Sequence, residues 1–158
     1  FPQIPLVVQQ RKMSDEVRQN FLSAFKDGGE VCGFAVMGGA FSEGIDLKGN
    51  RLIGAIVVGV GLPQIGIERD LIRNHFPAAG FEYAYQYPGL VRVLQTAGRV
   101  IRDEEDRGII FLVDRRYRER RYLDLLPSEW VPRFCENTAE IAVNLESFWS
   151  RQQELFGL

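Results

Sequence analysis

Apolar positions fall in short bursts separated by polar, glycine-rich or proline-rich breaks. Ile4-Pro5-Leu6-Val7-Val8 has the length and composition of a strand. Ser14 follows as a helix N-cap, with Asp15 and Glu16 in the first turn. Val17, Asn20, Phe21 and Ala24 then recur at helical spacing, and Gly28-Gly29 marks the end. Val31–Met37 and Leu52–Val60 are continuous apolar runs, the pattern of strands buried on both faces of a parallel sheet. Gly61-Leu62-Pro63 breaks the second run. Gly66–Phe76 reads as a helix with Glu68, Arg69, Asp70 and Arg73 on its polar side. Residues 77–88 carry a proline at each end and Phe81, Tyr83, Tyr85 and Tyr87 between them, which predicts an aromatic-rich loop. Leu90–Arg102 predicts a helix, 103–106 an acidic turn and Gly108–Val113 a third buried strand. Arg116–Leu123 predicts a further helix, and Thr138–Leu155 a last amphipathic one after Pro127 and Pro132.

Strands alternating with helices predict an α/β fold built on a parallel sheet. The length of 158 residues suits one domain, with its core at about 4–130 and a C-terminal helix at about 138–155. The net charge of −2 leaves any attraction to a polyanion to local clusters. No apolar run is long enough to span a bilayer, and no membrane partner is expected. Cys32 and Cys135 stand far apart without metal-ligand spacing, so free thiols, no metal site and a cytoplasmic setting are expected.

Two segments carry candidate chemistry. Gln95-Thr96-Ala97-Gly98-Arg99-Val100-Ile101-Arg102 has the form Q-x-x-G-R-x-I-R. On the predicted helix Arg99 and Arg102 share a face, and a guanidinium matches phosphate oxygens bidentately. The bland alternative is a solvated face paired with Asp103 to Asp106. Upstream lies Gly38-Gly39-Ala40-Phe41-Ser42-Glu43-Gly44-Ile45-Asp46. By itself this is an ordinary glycine-rich turn with an acidic cap.

Together and in this order, the two segments resemble motifs V and VI of superfamily-two helicases, in the DinG/XPD-like branch. The resemblance runs from about Val7 to Trp130 and includes a D-x-R-[FY] element at Asp114, Arg116 and Tyr117, whose role in that family is structural. It implies a RecA-like second motor domain, a parallel sheet with helices on both faces, here without the strand and helix that precede it in the family. The start at Phe1-Pro2-Gln3 fits a fragment of a longer protein, and the chain has neither a G-x-x-x-x-G-K-[ST] loop nor an acidic D-E-x-H box.

The resemblance assigns roles residue by residue. Arg99 and Arg102 are arginine fingers reaching ATP held with Mg²⁺ on the missing N-terminal lobe. Gln95 contacts the γ-phosphate or orients the attacking water, and Gly98 permits close approach of the helix to its neighbours. Gly44 and Asp46 lie at the nucleotide cleft, and Ser42, Glu43 and Gln64 lie along single-stranded DNA. The implied partners are the N-terminal motor domain of the same polypeptide and single-stranded DNA. The implied whole is an ATP-dependent DNA helicase of DNA repair, moving 5′ to 3′ and nucleoid-associated in a bacterium. An iron–sulfur cluster, where such proteins have one, belongs to another part of them. This chain alone carries half an active site and is expected to be catalytically silent. Two other readings stand beside this one: a non-catalytic DNA- or protein-docking module, and an RNA-directed lobe, since both nucleic acids are gripped largely by their backbones. The loop aromatics suit core packing better than base stacking, and His75 has no recognisable partner.

Overall fold

The computed structural model describes residues 3–39, 41, 47, 49–102 and 106–156. Ser42, Glu43, Gly44 and Asp46, together with Asp103, Glu104 and Glu105 of the acidic stretch, lie outside the described residues. Two compact units divide the chain, Phe1–Leu125 and Leu126–Leu158.

The first unit is α/β with parallel strands, as the alternation of elements predicts. Strand β1 (Leu6–Val8) pairs in parallel with β2 (Cys32–Phe34), and β3 (Gly54–Val58) with β4 (Ile109–Val113). Helix α1 (Asp15–Ser23) connects the first pair, starting at Ser14, whose side chain accepts from the Val17 N–H. It stops before Gly28-Gly29. Ala24 and Phe25 donate to the carbonyls of Phe21 and Leu22, a tightened last turn that brings Phe25 into the core. There Phe21 stacks on Phe41 at 4.2 Å and tilts against Phe25 at 5.7 Å, with Leu47 closing the cluster. Val7 packs on this cluster, and Gly33 leaves room for it: a Cβ there would lie 2.6 Å from the Phe25 ring.

The expectation of strands buried on both faces is not met: of the residues in the four strands only Val57 is buried. Val57 is buried, whereas Leu6, Val8 and Phe34 of the first pair and Ile56, Val58 and Val113 of the second are exposed. Each pair therefore presents an exposed apolar face, whereas continuous apolar runs are typical of strands buried on both sides.

Helix α2 (Ile67–His75) lies where expected. The aromatic segment after it does not form the predicted loop. Residues 80 and 81 are already helical, Glu82–Gln86 form a π-turn, and α3 (Tyr87–Ala97) continues from it. Proline normally breaks a helix because its ring clashes with the carbonyl four residues back and it donates no hydrogen bond. Ahead of Pro88 the helix is widened instead: the Tyr87 N–H reaches back five residues to the Glu82 carbonyl. Tyr85 and Gln86 are buried, Tyr83 tilts against Phe76 at 4.5 Å, and Phe81 stacks on Tyr85 at 5.7 Å, so these aromatics are engaged in packing. After β4, a 3₁₀ turn (Arg115–Arg118) and the short α4 (Arg120–Leu123) replace one predicted helix, divided at the extended Glu119.

The second unit contains α5 (Thr138–Phe156). Its start is a reciprocal cap: Asn137 Oδ1 accepts from the Glu140 N–H at 3.0 Å, and Glu140 Oε2 accepts from the Glu136 N–H at 2.8 Å. Among the described residues no helix is long and apolar enough to cross a membrane.

Candidate functional site

Helix α3 carries the Q-x-x-G-R-x-I-R segment and is seated by backbone contact. Gly89 lies directly against the loop after β3, where a Cβ would fall 2.6 Å from the Val60 carbonyl and 3.1 Å from backbone atoms of Gly61 and Leu62. Gly61 meets it in the left-handed region at φ +66°, with its own absent Cβ 2.5 Å from the Gly89 carbonyl. Only glycine at both positions lets the helix and loop come this close. One turn along α3, Arg92 donates through a terminal guanidinium nitrogen to the Gly61 carbonyl at 3.4 Å. Its side chain also lies against Gly38 (φ +76°), where a Cβ would be 3.3 Å from Nε. Gly38 follows β2 and opens the glycine-rich motif, so α3 rests beside the carboxyl ends of β2 and β3.

A second anchor reaches the same loop from β4. Tyr117, buried in the 3₁₀ turn, donates its hydroxyl to the Gly59 carbonyl at 2.9 Å. Asp114 positions that turn. It accepts from the Arg116 N–H at 2.9 Å and takes the Arg116 guanidinium in a fork, Nε at 2.9 Å and a terminal nitrogen at 2.7 Å. The Arg116 hydrogen bonds outweigh burial and hold the Asp114 carboxyl down to about 2, and the same contact raises Arg116. Burial pushes the Tyr117 phenol up to about 12, with the Asp114 charge adding to it. The structural role expected of the D-x-R-[FY] element is thus visible as a brace under the end of β3.

At its other end α3 stops sooner than the sequence predicts. The last helical residue is Ala97, and Arg99 and Val100 donate back three residues to Thr96 and Ala97. Val100 is buried, with Gly108 leaving space for its side chain, and this burial pulls the chain out of the helix. Arg99 and Arg102 therefore do not share a helical face. The Arg102 Nε donates to the Arg99 carbonyl at 3.3 Å, and the Arg102 N–H donates to Asp106 Oδ2 at 2.8 Å. Part of the bland pairing with the acidic stretch is thus present, through the Arg102 backbone. Both arginines are half-buried, and Gln95 is exposed. Gly98 keeps right-handed helical geometry, and a Cβ there would meet only carbonyls of its own helix, at 3.4 Å or more. The close approach expected at Gly98 occurs at Gly89 instead. Gln64 is exposed in the irregular segment after buried Pro63.

The structure thus brings Gln95, Gly98, Arg99 and Arg102 together at the end of α3, while the motif V residues fall outside the described part. An open depression of about 450 Å³ between α2 and the π-turn, lined by Arg73, Asn74 and Phe81 among others, includes none of the expected site residues. Sequence reasoning passed over Arg92, Gly89 and buried Gln86, whose side-chain amide donates to the Arg121 carbonyl. The available hint for Arg92 was its spacing, three residues before Gln95 and so on the same side of the helix.

A family profile for the helicase C-terminal domain matches residues 2–133. The chain belongs to the helicase C-terminal domain family. Among curated proteins, this helicase domain is 27% identical to the general transcription and DNA repair factor IIH helicase subunit XPD of Dictyostelium discoideum, over 85% of the chain and 18% of that protein. It is 35% identical to the ATP-dependent DNA helicase DinG of Photobacterium profundum, over 56% of the chain and 14% of the relative. To the regulator of telomere elongation helicase 1 homolog of Drosophila ananassae the figures are 28%, 72% and 12%. The helicase domain thus spans less than a fifth of each of these relatives.

Proposed function

We propose that this domain is the C-terminal motor lobe of an ATP-dependent DNA helicase. It supplies Arg99 and Arg102 to ATP bound on an N-terminal lobe of the same polypeptide and grips single-stranded DNA through Ser42, Glu43 and Gln64. The observation that carries the reading is the placement of the Q-x-x-G-R-x-I-R segment. It leaves a helix pinned to the loops that follow β2 and β3, each strand in a parallel pair, and the carboxyl ends of parallel strands are where open α/β sheets bind their ligands.

The chemistry follows from the donors. Water attacks the γ-phosphorus, the bond to the β-phosphate oxygen breaks, and negative charge spreads over the transferring group and the leaving ADP. Two guanidiniums aimed at those oxygens stabilise that charge more than they stabilise bound ATP, which lowers the barrier. Gln95, exposed one turn before Arg99, takes the role of orienting the water or the γ-phosphate in this reading. Gly44 and Asp46 belong to the same nucleotide face. In this reading Mg²⁺ is held by the other lobe. The isolated domain, with half the active site, turns over no ATP.

The test is steady-state ATP hydrolysis by the full-length protein, with and without single-stranded DNA, for wild type and Arg99→Ala. DNA-stimulated hydrolysis that falls by about three orders of magnitude in the variant, with nucleotide binding retained, is the expected result. Equal activity in both proteins removes the role given to Arg99. Stimulation by RNA alone makes the lobe RNA-directed, and no hydrolysis by wild type leaves a non-catalytic docking module.

A further inference from the structure

Arg92 stands at a junction that its neighbours in sequence do not share. Its guanidinium touches the loop after β3 through the Gly61 carbonyl and packs on Gly38 at the opening of the glycine-rich motif, while its backbone belongs to α3. Its own carbonyl accepts from the Thr96 hydroxyl at 2.9 Å, extending the contact by one turn toward Arg99. Three segments with separate tasks thus meet at one side chain. One leads into Ser42–Asp46, one leads through Pro63 to Gln64, and one ends in Gln95–Arg102. Gly38 and Gly61 both have positive φ, so neither accepts a side chain without strain, and the guanidinium occupies the space between their segments.

We propose that Arg92 is a positioning residue that couples nucleotide occupancy to the nucleic-acid grip, by tying the helix that carries Gln95 and Arg99 to the loop that carries Gln64 and to the start of the glycine-rich motif. It touches neither ligand. The coupling rests on the motor-lobe reading above, because it needs a nucleotide at one end of α3 and a nucleic acid at the other. Physically, a shift of the α3 tip on closing over ATP moves Arg92, and Arg92 carries the Gly61 carbonyl and the Gly38 turn with it. A neutral or shorter side chain leaves helix and loops each intact but removes the charged link, so the two ligands bind without sensing one another.

The experiment is a linkage measurement on the full-length protein. The affinity for a fluorescent single-stranded oligonucleotide is measured with and without a non-hydrolysable ATP analogue, for wild type, Arg92→Gln and Arg92→Lys. Thermal unfolding of each protein is followed in parallel. Wild type is expected to change its DNA affinity at least tenfold when the analogue binds. In Arg92→Gln that factor is expected to fall below twofold with melting unchanged, and Arg92→Lys is expected to restore part of it. A merely structural Arg92 would lower melting and both affinities together while leaving the factor intact, and that result overturns the proposal. An unchanged factor in a well-folded Arg92→Gln does the same. If Arg92→Gln does not fold, Arg92→Lys decides: a wild-type factor there overturns the proposal, and a factor cut at least threefold supports it. A wild type whose DNA affinity ignores the analogue overturns the motor-lobe reading itself, before any variant is considered.

Discussion

The two ends of α3 are held in different ways. The first half meets the β3 loop backbone to backbone, through Gly89 and Gly61, and Arg92 and the Tyr117 brace hold the same loop. The second half unwinds after Ala97 into a turn closed by three-residue hydrogen bonds, with Gln95 exposed. The first end is governed by steric exclusion, which tolerates no added atom. At the second, buried Val100 holds the turn while Gln95 stays exposed and Arg99 and Arg102 half-buried. Substitutions at the seat should therefore cost stability, and substitutions at the tip should cost chemistry.

The largest effect expected on folding is at the seat. Gly89→Ala in the full-length protein should destabilise this domain by about 3 kcal/mol, because the new methyl meets backbone that cannot swing aside. Chemical denaturation measures it, and a loss below about 1 kcal/mol would mean that α3 slides freely on the loop.

Next comes the brace. Asp114 titrates lower in the folded protein, near 2, than in an unfolded chain, so its contribution is complete above about pH 4 and is lost as pH falls through about 2. Asp114→Asn should cost about 2 kcal/mol at neutral pH and flatten the acid limb of the stability profile between those values. A parallel loss at every pH would show that packing, not the ion pair, matters there.

Tyr117→Phe should cost about 1 kcal/mol by leaving the Gly59 carbonyl without its donor. Its folded pKa is raised, so the contribution is full below about pH 10 and disappears as pH rises toward about 12. Wild type and Tyr117→Phe should therefore converge in stability across that alkaline window. At the tip, Gln95→Ala should change stability by less than about 0.5 kcal/mol, as for exposed helical positions generally, while lowering DNA-stimulated ATP hydrolysis. The reverse pattern would erase the division between the two ends.

Much of this architecture was legible in the chain, and the exceptions have physical reasons. Strand positions and the Ser14 cap follow from local composition, which the fold does not override. Proline and aromatic density at 77–88 predict a loop, whereas the widened π-turn, with Tyr87 bonded back to Glu82, makes room for Pro88 within a helix. The helix expected to run to Arg102 ends at Ala97, in a turn whose Val100 is buried. Gly98 drew attention for standing inside a motif, yet the glycine that matters sterically is Gly89, whose neighbour Gly61 is far away in sequence. The spacing of Arg92 from Gln95 hints at its face of the helix, but nothing nearby in the chain announces Gly38 and Gly61 as its contacts. The motif pair itself was read correctly as to family, since the helicase profile matches residues 2–133.

The π-turn before Pro88 amounts to one surplus residue inserted into an otherwise regular coil. In an α-helix each residue advances the azimuth by about 100°. The surplus residue puts the stretch before it out of phase with the stretch after it. Tyr85 and Gln86 can point one way, with Gln86 toward Arg121, while Leu90, Val93 and Ala97 form an unbroken buried stripe of their own. The helix thus works as a two-sided key whose wards are cut at different angles. Shortening it by a single residue at 82–86 would leave its composition almost untouched, yet it would turn one set of wards away from its lock.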